Sequence, residues 1–468
     1  PYHTFHKTIP QRQLGGRVHE IDQGKVMGGS SSINGLVYMR GLKSDYDEWK
    51  SACNNAKWGW DDMLPHFIRL ENNERINNIY HGINGQLKVS DPKYISRGAY
   101  IYIKTLQEMG ISYTNDFNEG NAKGVGFMQL TTDGKKRCSA ADAFIKPIKN
   151  NQKLHIKTGA TVTKLLFENR KVVGVEYFRK DKLVKVYCNN EVILTAGSFQ
   201  TPKILMLSGI GSESELKKHD IKLINRLEGV GKNLQDHFEV PVVASTKPGY
   251  GYFKQDKGIK KYINGLQYLL FKSGPVMSNG CETVAYYNPL NDKQLSNVQL
   301  FCVMQMYLDQ DIKNIKPDHG VTINSNLLRP RSKGSVTLKS NNFKDLPLID
   351  PNYFSNEDDI NILIESINFA KKVIRTKPMS EIVKEEILPG EQTTSKKALI
   401  EHCKKTVKTG WHPVGTCKMG NEDDAFSVVT PDLKVKEIEN LRIFDASVMP
   451  NIVSGNTNAP TIALADRG

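Results

Sequence analysis

No apolar stretch in this chain approaches the ~20 residues that a helix needs to cross a bilayer; the longest, such as VILTAG at 192–197, are strand-sized. Its seven cysteines (Cys53, Cys138, Cys188, Cys281, Cys302, Cys403, Cys417) form no Cys-x-x-Cys and no zinc-ligand spacing, and their odd number suits reduced thiols better than a disulfide framework. No metal site is expected. Internal repeats and low-complexity linkers are also missing, which excludes solenoids and tethered arrays. The formal charge of +14 suggests nucleic acid or an anionic membrane surface as a partner, but no charge block accompanies it. Lysines come as scattered pairs, Lys217 and Lys218, Lys371 and Lys372, Lys404 and Lys405, on segments that also carry acids or apolar positions. They read as a lysine-rich solvent surface. Without a zinc-finger spacing or an aromatic stacking platform, nucleic acid is set aside, while a peripheral membrane contact stays open. There is no initiator methionine either: the chain opens Pro1-Tyr2 and ends at Gly468 after a hydrophobic run, as a fragment would. Any targeting segment is then out of view. A cytoplasmic location, with membrane association left open, is the expectation.

What is present is enough chain for a large buried ligand. At 468 residues it exceeds the size at which one core stops growing, so two domains sharing a cleft are expected. Residues 14–92 open with a glycine- and serine-rich loop, then place Met63, Leu64, Phe67 and Leu70 at helical spacing over Trp60–Leu70. Residues 154–168, 171–178 and 191–197 alternate like strands rich in β-branched side chains. A helix should follow, with Thr201 as N-cap and Pro202 in its first turn. That strand-to-helix passage puts TAGS, 195–198, at a crest of an α/β sheet, where ligands of open sheets bind. Between 236 and 404 the strand-like runs 298–306 and 334–340 and a long helical run, Glu357 to Arg375, suggest an α+β domain on an antiparallel sheet. From Gly410 the chain returns to glycine-rich apolar loops.

Within the first loop, GKVMGGSSSINGLVYMRG (24–41), Gly28 and Gly29 remove side chains where a planar ligand would approach the backbone, and Ser30, Ser31 and Asn34 offer short hydrogen-bond partners. Followed by DYDEW (45–49), this stretch resembles the first diagnostic segment of the glucose-methanol-choline oxidoreductases. GSFQTPKILMLSGIG (197–211) resembles the second. RCSAADAF (137–144), GVGKNLQDH (229–237), WHPVGTCKMG (411–420) and LRIFDASVMPNIVSGNTNAPTIALA (441–465) follow in family order. Their wording is nearest the choline dehydrogenase-like and alcohol dehydrogenase branch.

The resemblance implies a Rossmann-like α/β domain for FAD, here assigned to 1–92, 135–235 and 405–468, and a substrate-binding domain and cap at 93–134 and 236–404. One departure stands out: the family begins with a strand, a GxGxxG turn and a helix that seat the ADP half of FAD, and no such unit occurs in this sequence. Weak retention of FAD by this chain alone is the expectation.

Alcohol oxidation removes a hydride from carbon and a proton from oxygen, so the site needs an electron sink beside a base. The family's base falls on His412, whose ordinary pKa suits proton exchange near neutrality, and its active-site partner on Asn456. An amide cannot take the proton, so Asn456 is expected to orient the alkoxide. His237 also matches the family and is expected to be structural. FAD contacts are expected from Gly28, Gly29, Ser30, Asn34, Gly35, Leu36, Val37, Ala196, Gly197, Trp411 and Thr457, from Asp445 and Ala446 along the flavin chain, and from Val162 beside the adenine. Ile33 stands where some relatives carry a flavin-tethering histidine, so FAD is expected to be noncovalent. Cys417 lies five residues beyond His412, which is no evidence of a nucleophile–base pair. The expected substrate is a small primary alcohol, choline-like or other, with a quinone, another carrier or oxygen as acceptor. Two alternatives remain: a lyase of the hydroxynitrile type that keeps FAD for structure, and a non-catalytic basic binding protein.

Overall fold

The computed structural model describes residues 2–307 and 315–468; residue 1 and residues 308–314 lie outside the description. Its largest sheet is antiparallel and runs in the order Val383–Leu388, Phe238–Thr246, Gly320–Leu327, Val298–Val303, Thr283–Tyr287, Gly124–Phe127. The short strand Lys408–Thr409 adds to the start of Phe238–Thr246 through Phe238↔Thr409. Alternation along Thr283–Tyr287 explains why both faces are covered. Ala285 and Tyr287 join the core under helix Glu357–Arg375, with Leu363, Ile367 and Ala370. Val284 and Tyr286 pack on the other face with Val37, Met39 and Leu42 of the first glycine-rich segment. Each fully buried apolar side chain of this kind contributes about 1.5–3 kcal/mol. The helix Glu357–Arg375 has the expected bounds, because its signals are local: the Asn356 side chain accepts from Asp358 N at 2.9 Å, acids fill the first turn, and Lys372 and Arg375 the last.

The α/β part is built on Val192–Leu194 and Leu441–Ile443, paired in parallel with Leu194 opposite Ile443. Beside it lies a three-stranded antiparallel sheet, Thr161–Glu168, Lys171–Arg179 and Lys182–Tyr187. The strands expected at 154–168 and 191–197 are shorter, since 154–160 and 195–197 leave the extended ladder, whereas the one expected at 171–178 runs through Arg179. Helix Trp60–Leu70 keeps its expected bounds and buries Met63, Phe67 and Leu70.

Three expectations are corrected. The helix after TAGS is Gly197–Leu207, so Thr201 is not its N-cap and Pro202 is not in its first turn. The start moves forward because the Asp445 carboxylate accepts Gly197 N at 2.9 Å and the Thr201 hydroxyl at 2.6 Å. The interior proline is tolerated because the Ser198 carbonyl, which Pro202 cannot serve, accepts Thr416 Oγ1 at 2.7 Å. The run at 334–340 contributes only Ser335–Thr337, paired with Leu348–Asp350 outside the large sheet. Lys371 is not solvent surface: it is buried, bonded to the Gly390 and Thr393 carbonyls and paired with Glu386.

Candidate active site

The segment NLQDH and the segment WHPVG clasp each other as a short antiparallel ladder. Gln235 N donates to Val414 O at 3.1 Å, Val414 N to Gln235 O at 2.8 Å, and Gly410 N to His237 O at 2.6 Å. Gly415 has φ 88°, and a Cβ there would lie 2.6 Å from Asn233 O, so the turn requires glycine. Asp236, fully enclosed, locks the clasp: Oδ1 accepts His412 N at 2.8 Å, and Oδ2 accepts Tyr353 Oη and Thr409 Oγ1, both at 2.6 Å. Burial raises its carboxyl to about 6 despite those donors.

The His412 ring is held at both nitrogens. Nδ1 lies 3.0 Å from His237 Nδ1, with the two rings nearly perpendicular, and Nε2 lies 3.1 Å from Asn456 Nδ2. The protons along this chain can be assigned. His237 Nε2 is 3.0 Å from the Leu328 carbonyl, which only accepts, so the His237 proton sits on Nε2. A neutral His237 then offers a lone pair at Nδ1, and His412 must donate from its own Nδ1. His412 Nε2 is left with a lone pair, which the Asn456 amide meets as donor. Both rings are held neutral: burial pushes His237 down to about 4, and burial together with repulsion from His237 pushes His412 well below the ordinary histidine value. The expectation that His237 is structural thus misses its direct bond to His412, and the only signal in the sequence was that both histidines lie in motif blocks.

Asn456 is fixed from the opposite end of the chain. Asp45, in DYDEW, accepts Ser454 N at 2.6 Å, Ser454 Oγ at 2.7 Å and Arg329 Nη2 at 3.0 Å. Gly455 packs on Met39, where a Cβ would sit 3.2 Å from that residue's Cβ. Asn456 Oδ1 is buried with no hydrogen-bond partner among the described residues, so one acceptor at the site is left to a ligand. Thr457 begins helix Asn458–Arg467 and uses its carbonyl on Thr461.

The expected cofactor residues gather in two crests. Gly28 (φ 88°) and Gly29 (φ 56°) start a turn; Ser30 Oγ accepts Gly24 N at 3.1 Å, and Asn34 Oδ1 accepts Arg137 Nη1 at 2.6 Å. Nothing lies within 4 Å of a Cβ built on Gly29 or Gly35. Leu36 (φ 70°) and Trp411 (φ 60°) hold a left-handed backbone without being glycine; the Leu36 carbonyl accepts Thr131 N at 2.7 Å, and Trp411 N donates to Thr409 Oγ1 at 2.8 Å. Val37 is buried opposite Leu130. On the second crest Ala196 and Gly197 open helix Gly197–Leu207, and Asp445 binds that opening while Ala446 starts a short turn behind it. Asp445 Oδ2 is engaged at that opening, while Oδ1 accepts Ser447 N at 2.8 Å. Val162 sits apart on strand Thr161–Glu168. Open glycine faces, a helix N-terminus and the unpartnered Asn456 oxygen fit a flavin dinucleotide. Cys417 is buried, and burial and the Asp445 charge push its thiol well above the ordinary value. A cavity of about 450 Å³ lined by Lys57, His66, Arg442 and Arg467 includes neither His412 nor Asn456.

Several known proteins are similar to this chain in sequence and fold. The GMC oxidoreductase family matches in two regions, residues 11–239 and 330–465. An alcohol dehydrogenase [acceptor] of Pseudomonas putida is 39% identical over 467 residues, covering 98% of this chain and 83% of that protein. A mitochondrial choline dehydrogenase of Mus musculus is 32% identical, over 100% of this chain and 78% of that one. Among solved structures, pyridoxine 4-oxidase from Mesorbium loti superposes with a TM-score of 0.90 at 26% identity, covering 100% of this chain and 87% of its own. A formate oxidase variant of Aspergillus oryzae RIB40 with a title on FAD modification gives 0.91 at 26%, with the same coverage. The chain therefore belongs to the GMC oxidoreductase family and is an FAD-dependent oxidoreductase of its alcohol and choline dehydrogenase kind.

Proposed function

We propose that the protein oxidises a small primary alcohol, choline-like or other, to the aldehyde, with His412 Nε2 receiving the hydroxyl proton. FAD, when bound, supplies the hydride sink that no side chain provides. Gly28, Gly29, Ser30, Asn34, Gly35, Leu36 and Val37 would hold it from one side, with Ala196, Gly197, Trp411, Asp445, Ala446 and Thr457 from the other and Val162 near its far end. The observation that carries the reading is the chain of contacts from the Leu328 carbonyl through His237 and His412 to Asn456, at 3.0, 3.0 and 3.1 Å, from which an unprotonated Nε2 on His412 is inferred. An alcohol hydroxyl entering between them gives its proton to Nε2, and the Asn456 amide donates to the oxygen as charge develops there. The lowered His412 basicity keeps Nε2 free at neutral pH. Return of that proton to solvent or acceptor resets the base.

Anaerobic mixing of the purified flavoprotein with a series of primary alcohols tests the reading: bleaching of the flavin band and release of the aldehyde are expected, with none from the matching tertiary alcohols. A flavoprotein that stays oxidised with every primary alcohol, or that splits a cyanohydrin without bleaching, overturns it. FAD is read as noncovalent, because Ile33 occupies the tethering position; acid precipitation should leave the flavin in the supernatant.

A further inference from the structure

Helix Gly258–Phe271 is mounted with its apolar face turned outward. Ile259, Tyr262, Ile263, Leu266, Leu269 and Leu270 are each 56–73% exposed. At 3.6 residues per turn these positions fall within an arc of about 120°. The side toward the protein is the polar one: Asn264 is buried and donates to Gln255 O at 2.8 Å, and Tyr268 Oη reaches Lys135 O at 3.4 Å. This is the reverse of a helix on a globular surface, whose apolar stripe meets the core. Together the six side chains of that arc present on the order of several hundred Å² of apolar surface, which a monomer in water seldom leaves open unless it binds something.

The charges around it narrow the occupant. Lys254, Lys257, Lys260, Lys261 and Lys272 are all exposed, against the single acid Asp256 between residues 251 and 277. Lys260 and Lys261 lie beyond the arc on either side, the arrangement of a helix lying in a lipid headgroup layer. A second copy of this chain would bring these lysines against one another. The helix is 14 residues long, about 21 Å at 1.5 Å per residue, and no helix among the described residues is long and apolar enough to cross a membrane. We propose that this helix is a peripheral docking surface for an anionic lipid bilayer, with its apolar arc sunk into the headgroup–acyl boundary and its lysines on the headgroups. Beyond the helix, Asn279 Nδ2 donates to Gly35 O at 3.1 Å, which ties the following segment to the first glycine loop.

The test is co-sedimentation of the flavin-loaded protein with vesicles of equimolar phosphatidylcholine and phosphatidylglycerol, beside vesicles of phosphatidylcholine alone. Binding to the anionic vesicles is expected, weaker to the neutral ones and weakened by salt. Leu266→Glu with Leu270→Glu should lower the affinity at least about a hundredfold, from two lost apolar burials at roughly tenfold or more each. Lys260→Gln with Lys261→Gln should lower it about tenfold or more. All these side chains are exposed, so bound-FAD absorbance and circular dichroism should not change. Failure of the parent protein to bind anionic vesicles, or equal binding by the leucine variant, overturns the proposal. So does light scattering that finds a dimer which the leucine variant splits, because the patch then belongs to a second copy.

Discussion

The Asp45 carboxylate, in the first diagnostic segment, accepts the backbone N–H of Ser454 at 2.6 Å across 409 positions of sequence. Asn456 is two residues further on, so the amide facing His412 is held in place from the other end of the chain. Asp45 also accepts Leu42 N at 2.7 Å and pairs with Arg329, which keeps a buried carboxylate satisfied on all sides.

Asp45→Asn should therefore damage the reaction through Asn456. Whichever way the amide is turned, its NH₂ faces either the Arg329 guanidinium or the two backbone donors. Flavin reduction by a saturating alcohol should slow roughly tenfold or more, for about 1–3 kcal/mol of unsatisfied hydrogen bonding at the loop. Rapid-mixing absorbance measures this, and an unchanged rate would detach Asn456 placement from Asp45.

His237 offers a sharper test, because in the proposed mechanism it fixes the tautomer of His412. His237→Phe removes the acceptor for His412 Nδ1–H and with it the bias that keeps the lone pair on Nε2. Reduction should slow, though by less than the ~10⁴ that a wrong histidine tautomer costs a serine protease. Repulsion from His237 is one cause of the lowered His412 basicity, so the acid limb of the rate profile should move upward in pH. His237→Gln, whose carbonyl can accept, should recover part of the rate. A purely packing role predicts a stability loss without the shift in pH profile.

Much of this was legible in the sequence, for reasons that differ by element. Helices Trp60–Leu70 and Glu357–Arg375 carry period and caps within their own residues, so local reading finds their ends. Helix Gly197–Leu207 does not: its first turn is anchored by Asp445, 248 positions from Gly197, and the local cue at Thr201–Pro202 points to the wrong start. The His237–His412 bond spans 175 positions and has no periodic signature. Helix Gly258–Phe271 shows a helical apolar period, but a period cannot say which face meets protein, and here the fold turns that face out.

Stability should depend on a charge pair distinct from the His412 cluster. Arg40 Nη2 and Glu71 Oε2 are 2.8 Å apart and wholly buried, with His81 bonded to the same carboxylate at 2.9 Å. Glu71→Gln leaves a buried guanidinium without its counter-charge, which costs about 3–5 kcal/mol. A fall in Tm of several degrees is expected by thermal scanning. The double change Arg40→Met with Glu71→Leu should recover only part of it, since the guanidinium is no longer stranded but Gly82 N and His81 Nδ1 lose their acceptor.

The proposal that His412 is the base is tested by pH. Proton acceptance needs neutral Nε2, so the rate of flavin reduction must rise with pH through the His412 ionisation and stay flat above it. Burial and His237 both lower that ionisation, so the rise belongs in acid, below the ~6.5 of a free histidine, and the rate should be level through neutrality. His412→Ala should slow reduction by roughly two to four powers of ten, the usual worth of a general base, and should abolish the acid rise. Its bound-flavin spectrum should change little, since the crests at Gly29 and Gly197 do not depend on the His412 ring. Asn456→Asp should also be slow, because a carboxylate repels the developing alkoxide, but it should retain a pH-dependent rise because the base is still there. Anaerobic single-turnover reduction across pH reads all three proteins without any choice of electron acceptor. An alanine variant that kept its rate and its acid limb would make His412 a packing residue and move the base elsewhere.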